Sequence, residues 1–230
     1  MFFGQMNENP VQRALVGISA VALAEYFRDE KGKNILFFAD NMYRYVQARN
    51  EIASIMDEVP SEGGYEPTIF SDVKTLQDRL SSNEKGSITA VQTIYVPADD
   101  LSDPAVQAIQ HELDSIIVLS RAVAEQGIRP AVDLSKTTSS LLSPDIVGEQ
   151  HYVLSVQVQG LLQKYESLKS IIAIIGESEL SPTDRSGYAK AKKLIQYFSQ
   201  NMFVTEDLTG LKGEYVNRAD MLKGVEEIIV

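Results

Sequence analysis

Apolar positions along this chain switch period several times, and each switch marks an element. From Pro10, the residues Leu15, Ile18, Ala22, Leu23, Tyr26 and Phe27 recur at three- and four-residue steps. That spacing predicts a helix opened by proline, with this face turned inward. Ile35 to Ala39 is then an unbroken apolar run of strand length, as expected of a parallel strand buried on both faces. The run stops at Asp40, and helical patterning resumes from Met42 to about Met56. Met1 to Gln5 reads as a further strand. Pro60 to Pro67, with Gly63 and Gly64 inside it, predicts an exposed loop. A short helix is expected from Ser71 to Leu80, closed by Ser81, Ser82, Asn83 and Gly86. Ser87 to Val96 is rich in β-branched residues and ends at Pro97, which predicts a strand. Asp114 to Leu119 predicts another, entered from a helix beginning near Pro104.

Strands alternating with helices at this spacing imply an α/β fold with a mostly parallel sheet and helices on both faces. The Ser- and Thr-rich segment from Ser135 to Pro144 reads as a boundary, after which the pattern is helical. Leu154, Val158, Leu161, Leu162, Tyr165, Leu168 and Ile172 form one apolar stripe, which Gly176 ends. Ser181-Pro182-Thr183-Asp184 is a helix start, with Ser181 as N-cap and Pro182 at the first position. Tyr188, Ala191, Leu194, Ile195 and Phe198 give that helix its inward face. A last helix is expected from Asn217 to the end.

Composition narrows the functional classes. With 44% hydrophobic and 23% charged residues, the 230-residue chain is ordinary globular material. The longest apolar run, Ser170 to Ile175, is far too short to cross a bilayer, so no direct membrane insertion is expected. A net charge of −11 argues against sequence-independent nucleic-acid binding, which needs a basic surface. The absence of cysteine excludes disulfides and thiolate metal sites. His111 and His151 stand far apart with no partner pattern and read as ordinary helix residues. Lys190, Lys192 and Lys193 read as a solvated basic face.

The chemistry concentrates at Asp40. An acid at the carboxyl end of a buried parallel strand opens onto the crevice where α/β proteins hold ligands, and it can hold Mg²⁺ through water opposite nucleotide phosphates. It can equally cap the following helix. The neighbouring motifs decide between these. Gly4-Gln5-Met6-Asn7-Glu8 precedes the strand, and Tyr95-Val96-Pro97-Ala98-Asp99-Asp100-Leu101-Ser102-Asp103-Pro104-Ala105 and Val118-Leu119-Ser120-Arg121 follow it. Further on come Pro130-Ala131-Val132-Asp133, Ile146-Val147-Gly148-Glu149 and the segment Ile171 to Gly176. In this order and at these separations the chain resembles the catalytic β subunit of the F-type rotary ATP synthase over nearly its whole length.

The resemblance implies a RecA-like nucleotide-binding domain, incomplete, over residues 1–140, followed by a helical C-terminal domain over 141–230, incomplete at its end. It implies Mg²⁺, with ATP or ADP as substrate. Asp40 would hold the metal through water, Arg44 would lie near the phosphates, and Asn7 would orient water or a catalytic side chain. Tyr95, Arg129, Met202 and Leu208 match positions around the nucleotide. Three carboxylates, Asp99, Asp100 and Asp103, could in principle hold a hard cation, but by resemblance this loop shapes the site and meets other subunits. Partners would be α-type subunits in an alternating ring and a central rotor shaft. The location would be the cytoplasmic or matrix-side face of a membrane, as a peripheral part of a larger complex.

The chain also departs from that family. The phosphate-binding loop G-x-x-x-x-G-K-[ST] occurs nowhere in it, and neither does the upstream Gly-Glu-Arg segment carrying the water-positioning Glu. It is therefore expected to be a fragment without turnover of its own. The family's aromatic adenine pocket is replaced by Arg129, Met202 and Leu208, which predicts weakened or altered base binding. The acidic turn that pushes on the shaft keeps two of its acids, in Ser178 to Asp184, and Arg49 to Ala53 replaces another subunit-facing segment. The alternative is a degenerate relative serving as a structural subunit.

Overall fold

The computed structural model describes residues 1–61 and 63–230, with the side chain of Ile175 left out; Glu62, inside the loop expected from Pro60 to Pro67, lies outside the described residues. Two compact units follow one another, Met1–Leu113 and Asp114–Val230.

In the first unit the elements run α1 (Pro10–Asp29), β1 (Ile35–Ala39), α2 (Met42–Ile55), α3 (Ile69–Asp78), β2 (Ile88–Gln92) and α4 (Pro104–Gln110). β1 and β2 pair in parallel, Ile35 opposite Ile88 and Ala39 opposite Gln92. One face of this ribbon, carrying Ile35, Phe37, Ala39, Ile88 and Ala90, packs on a core of Val21, Val46, Val73, Leu76 and Ile109. The other face is bare: Leu36 is 60% and Phe38 69% exposed.

Two expectations change here. Met1–Gln5 forms no strand: Gln5 bonds locally to Glu8, its amide donating to the Glu8 carboxylate and its carbonyl accepting from Glu8 N. α1 buries Ala14, Val21, Ala24 and Arg28, while Leu15, Leu23, Tyr26 and Phe27 face outward. The helix is apolar on two sides, so periodicity alone could not say which side meets the core.

The second unit contains β3 (Ser115–Ile116), α5 (Arg121–Glu125), β4 (Thr138–Ser139), α6 (Pro144–Val147), α7 (Glu149–Ile175), α8 (Pro182–Tyr197), α9 (Glu206–Thr209) and α10 (Arg218–Ile229). The strand expected from Asp114 to Leu119 shrinks to β3, and it is antiparallel to β4 rather than part of the parallel sheet. β4 falls in the polar stretch read as a boundary, where no alternation of apolar residues announces a strand.

The helices match their signals. Gly176 ends α7 at φ 87°, a backbone conformation open chiefly to glycine. Ser181 caps α8 by accepting from Asp184 N at 3.1 Å. Leu154, Leu194 and Val225 form the centre where α7, α8 and α10 meet, and Tyr165 stacks on Tyr188 with centroids 4.9 Å apart. Lys190 is not simply solvated: its Nζ reaches the carbonyls of Ile229 (2.5 Å) and Val230 (3.1 Å) at the end of α10.

Candidate functional site

Asp40 leaves the carboxyl end of β1 and is exposed. Its carboxylate is oriented from the neighbouring chain, since Thr93, just past β2, donates its hydroxyl to Asp40 Oδ1 at 2.7 Å. Helix capping is done by the next residue instead. Asn41 accepts from Arg44 N at 3.2 Å and is the N-cap of α2, and the Asp40–Asn41 peptide is cis. Asp40 is thus free of the structural task that such acids most often perform.

An open groove of about 470 Å³ runs along β1 and the start of α2, and Asp40, Asn41 and Arg44 lie on its wall. Arg44 is exposed. Arg13 lines the same groove, but its side chain is largely covered and paired with Glu51. Gly4 and Met6 also line it; Asn7 does not, and sits exposed in the turn that leads to Asn9, the N-cap of α1. Tyr95 stands at the same end of the sheet, its ring edge-on to Tyr43 at 5.8 Å.

The Asp-rich loop spends its oxygens on the fold. Asp100 accepts from the Ser102 hydroxyl (2.6 Å) and amide (2.9 Å), and both bonds hold its carboxyl below the usual range. Asp103 caps α4 through Oδ1, accepting from Ala105 N and Val106 N, and takes the Tyr65 hydroxyl on Oδ2 at 2.8 Å. Among the described residues no group of three His, Cys, Asp or Glu side chains could hold a metal ion. The residues around Asp40 therefore fit a Mg²⁺ site only of the kind in which one carboxylate acts through water and phosphate oxygens supply the inner ligands.

The remaining site residues belong to the second unit. Arg129 precedes a cis Pro130, and its backbone is stitched to the end of α8: Gln200 N donates to Arg129 O at 2.8 Å and the Ser199 hydroxyl at 3.0 Å. Met202, half-buried, follows two residues later. The Arg129 guanidinium turns back onto the carbonyls of Ile128 (2.8 Å) and Ala124 (2.9 Å). Leu208, on α9, is 88% exposed. The junction of Arg129 with Ser199 was not legible from spacing, because the two residues are 70 positions apart. Asn41 was likewise missed as the cap, although asparagine directly before a helical pattern is a favoured N-cap.

A parallel ribbon whose strand ends in an oriented acid, followed in sequence by a helical domain, is an α/β architecture that places that acid where such folds hold ligands. The chain belongs to the ATP synthase alpha/beta family: that family's nucleotide-binding domain matches residues 1–139, and the C-terminal domain of V and A type ATP synthase matches residues 142–216. Among solved structures, the unique ATP synthase subunit NeqB from Nanoarcheaum equitans superposes with a TM-score of 0.83 at 24% identity, covering 98% of this chain and 55% of that one. The assembled ATPase EscN of the enteropathogenic E. coli type III secretion system superposes at 0.80 and 26% identity, covering 96% of this chain and 51% of that one. The chain thus spans about half the length of these relatives.

Proposed function

We propose that these residues are the latter part of a rotary ATP synthase subunit of the catalytic, F-type β kind. Its nucleotide-binding part would extend to about residue 140, with a helical domain after it. The observation that carries this reading is Asp40: a strand-end acid held by Thr93, not used as a cap, on the wall of a groove, inside the segment matched by the family's nucleotide-binding domain. The helical match to V and A type ATP synthase supports a rotary ATPase without favouring the F-type.

In this reading ATP is made or cleaved by in-line phosphoryl transfer, coupled to rotation and proton transport. Mg²⁺, when bound, neutralises charge on the phosphate oxygens. Asp40, oriented by Thr93, would be the residue that holds the ion, through water. Arg44 would offer its guanidinium to phosphate and Asn7 would position water, while Tyr95, Arg129, Met202 and Leu208 are the positions that the resemblance assigns to the base. The phosphate cradle and the water-positioning acid come from chain outside these residues. α-Type subunits and a rotor shaft are the partners, with the subunit peripheral to a membrane; among the described residues no helix is long and apolar enough to cross one.

A second reading, a non-catalytic structural subunit, is favoured by the base side of the site. Arg129 is already committed to two backbone carbonyls, and Leu208 offers little enclosed apolar surface. One assay separates the two. The chain alone should show no Mg-ATPase activity. Adding a polypeptide that carries the family's phosphate-binding loop should produce turnover that Asp40→Asn removes. Reassembly without turnover would favour the structural role, and turnover indifferent to Asp40→Asn would contradict the catalytic reading.

A further inference from the structure

Between α2 and α3 the residues 63–68 form a turn held down by two polar side chains, Tyr65 and Glu66. Tyr65 donates to Asp103 and meets the Tyr43 hydroxyl at 2.8 Å. Glu66, the next residue, turns inward and is 4% exposed. Its Oε1 lies 3.6 Å from Arg49 Nε, too far for a hydrogen bond, and finds no hydrogen-bond partner. Arg49 gives its short contact to Asp72 instead, at 2.6 Å, and Thr68 also donates to Asp72 at 3.0 Å. The groups facing Glu66 are Arg49 and Tyr45 from α2, Asp72 from α3 and Glu58 from the preceding loop. Two carboxyls, Glu66 and Asp72, thus share one guanidinium with Glu58 nearby, and the most enclosed of them has the poorer contact with it.

Ionised, Oε1 would keep neither water nor a hydrogen-bond donor and the carboxylate would face Asp72, whereas a neutral carboxyl avoids the first cost and can share a proton with Asp72. We propose that Glu66 is a protonation-gated latch: neutral, it stays inserted and holds the 63–68 turn on α2 and α3, and ionised, it withdraws and frees the turn. Release would also loosen Tyr65 from Asp103 and so from the start of α4.

Burial raises the Glu66 pKa above its ordinary 4.5, and Asp72 and Glu58 raise it further against Arg49. The latch is therefore fully closed below the ordinary carboxylate value and weakens as pH rises through the folded one.

Amide hydrogen exchange of residues 63–69 in the 230-residue chain, corrected for intrinsic rates and followed from about pH 4.5 upward, tests this. In the natural chain, protection should fall by up to about tenfold per pH unit and then level off. Glu66→Gln, which imitates the neutral acid, should keep the turn protected throughout. Asp72→Asn removes one facing acid and should move the levelling point to lower pH, which gives a second reading if the glutamine variant folds poorly. Equal pH dependence in the natural chain and Glu66→Gln, or a levelling point unmoved by Asp72→Asn, would overturn the proposal.

Discussion

At the scale of single residues, burial and pairing decide which acids help the fold at a given pH. Arg79 donates twice to the Glu25 carboxylate, at 2.9 and 2.5 Å, and these bonds outweigh partial burial and lower the Glu25 pKa below 4.5. A lowered folded value means stability that is present above the ordinary value and lost as pH falls through the folded one. Glu66 has the opposite sign. Glu25→Gln should therefore cost stability at neutral pH and cost progressively less as pH drops below about 4, read as the difference in melting temperature from the natural chain. A difference that is constant with pH would contradict the assigned pairing. Asp103 carries two tasks, the α4 cap and the Tyr65 hydroxyl. Asp103→Ala should cost about 1–3 kcal/mol in urea unfolding, and a cost below ~0.5 kcal/mol would show that neither bond matters.

At the scale of elements, Arg28 shows how one side chain closes a helix to which it does not belong. It lies buried on α1, yet it donates to Arg79 O (3.1 Å) and Ser81 O (2.5 Å), carbonyls left over just past the end of α3. Asp29 holds the guanidinium from the other side at 2.7 and 2.8 Å. Arg28→Ala would leave two part-buried carbonyls without a donor and should cost about 2–4 kcal/mol by chemical denaturation. Arg28→Lys should recover only part of it, because an ammonium cannot reproduce the planar fork.

Such contacts explain what the sequence could and could not disclose. Gly176, Ser181 and Pro182 set the limits of α7 and α8 through local backbone chemistry, so those limits could be read directly. So could the strand-end acid, because β1 is continuous and apolar and stops abruptly. The inward face of α1 could not be read, since Leu15, Leu23 and Phe27 are as apolar as the residues that are buried. Nor could β3 with β4, whose pairing joins Ser115 to Ser139 across a polar stretch. The base-side residues were legible as positions but not as contacts, since Arg129 meets Ser199 only through folding at long range.

At the scale of the whole molecule, the parallel ribbon is covered on one face only. Leu36, Phe38 and Val91 face outward there, although parallel strands are ordinarily buried on both faces. The 230-residue chain should consequently bind ANS and self-associate. Leu36→Lys with Phe38→Lys should raise its solubility without unfolding it. Dye binding unchanged by the double variant would mean that another surface is responsible.

Asp40 is best tested on the chain as it stands, with Mn²⁺·ADP as a paramagnetic probe in NMR. Weak binding at the proposed site predicts line broadening centred on the amides of residues 40–44 and 93–95, abolished by Asp40→Asn. Broadening centred elsewhere, or unaffected by that substitution, would contradict the nucleotide-site reading of this strand end.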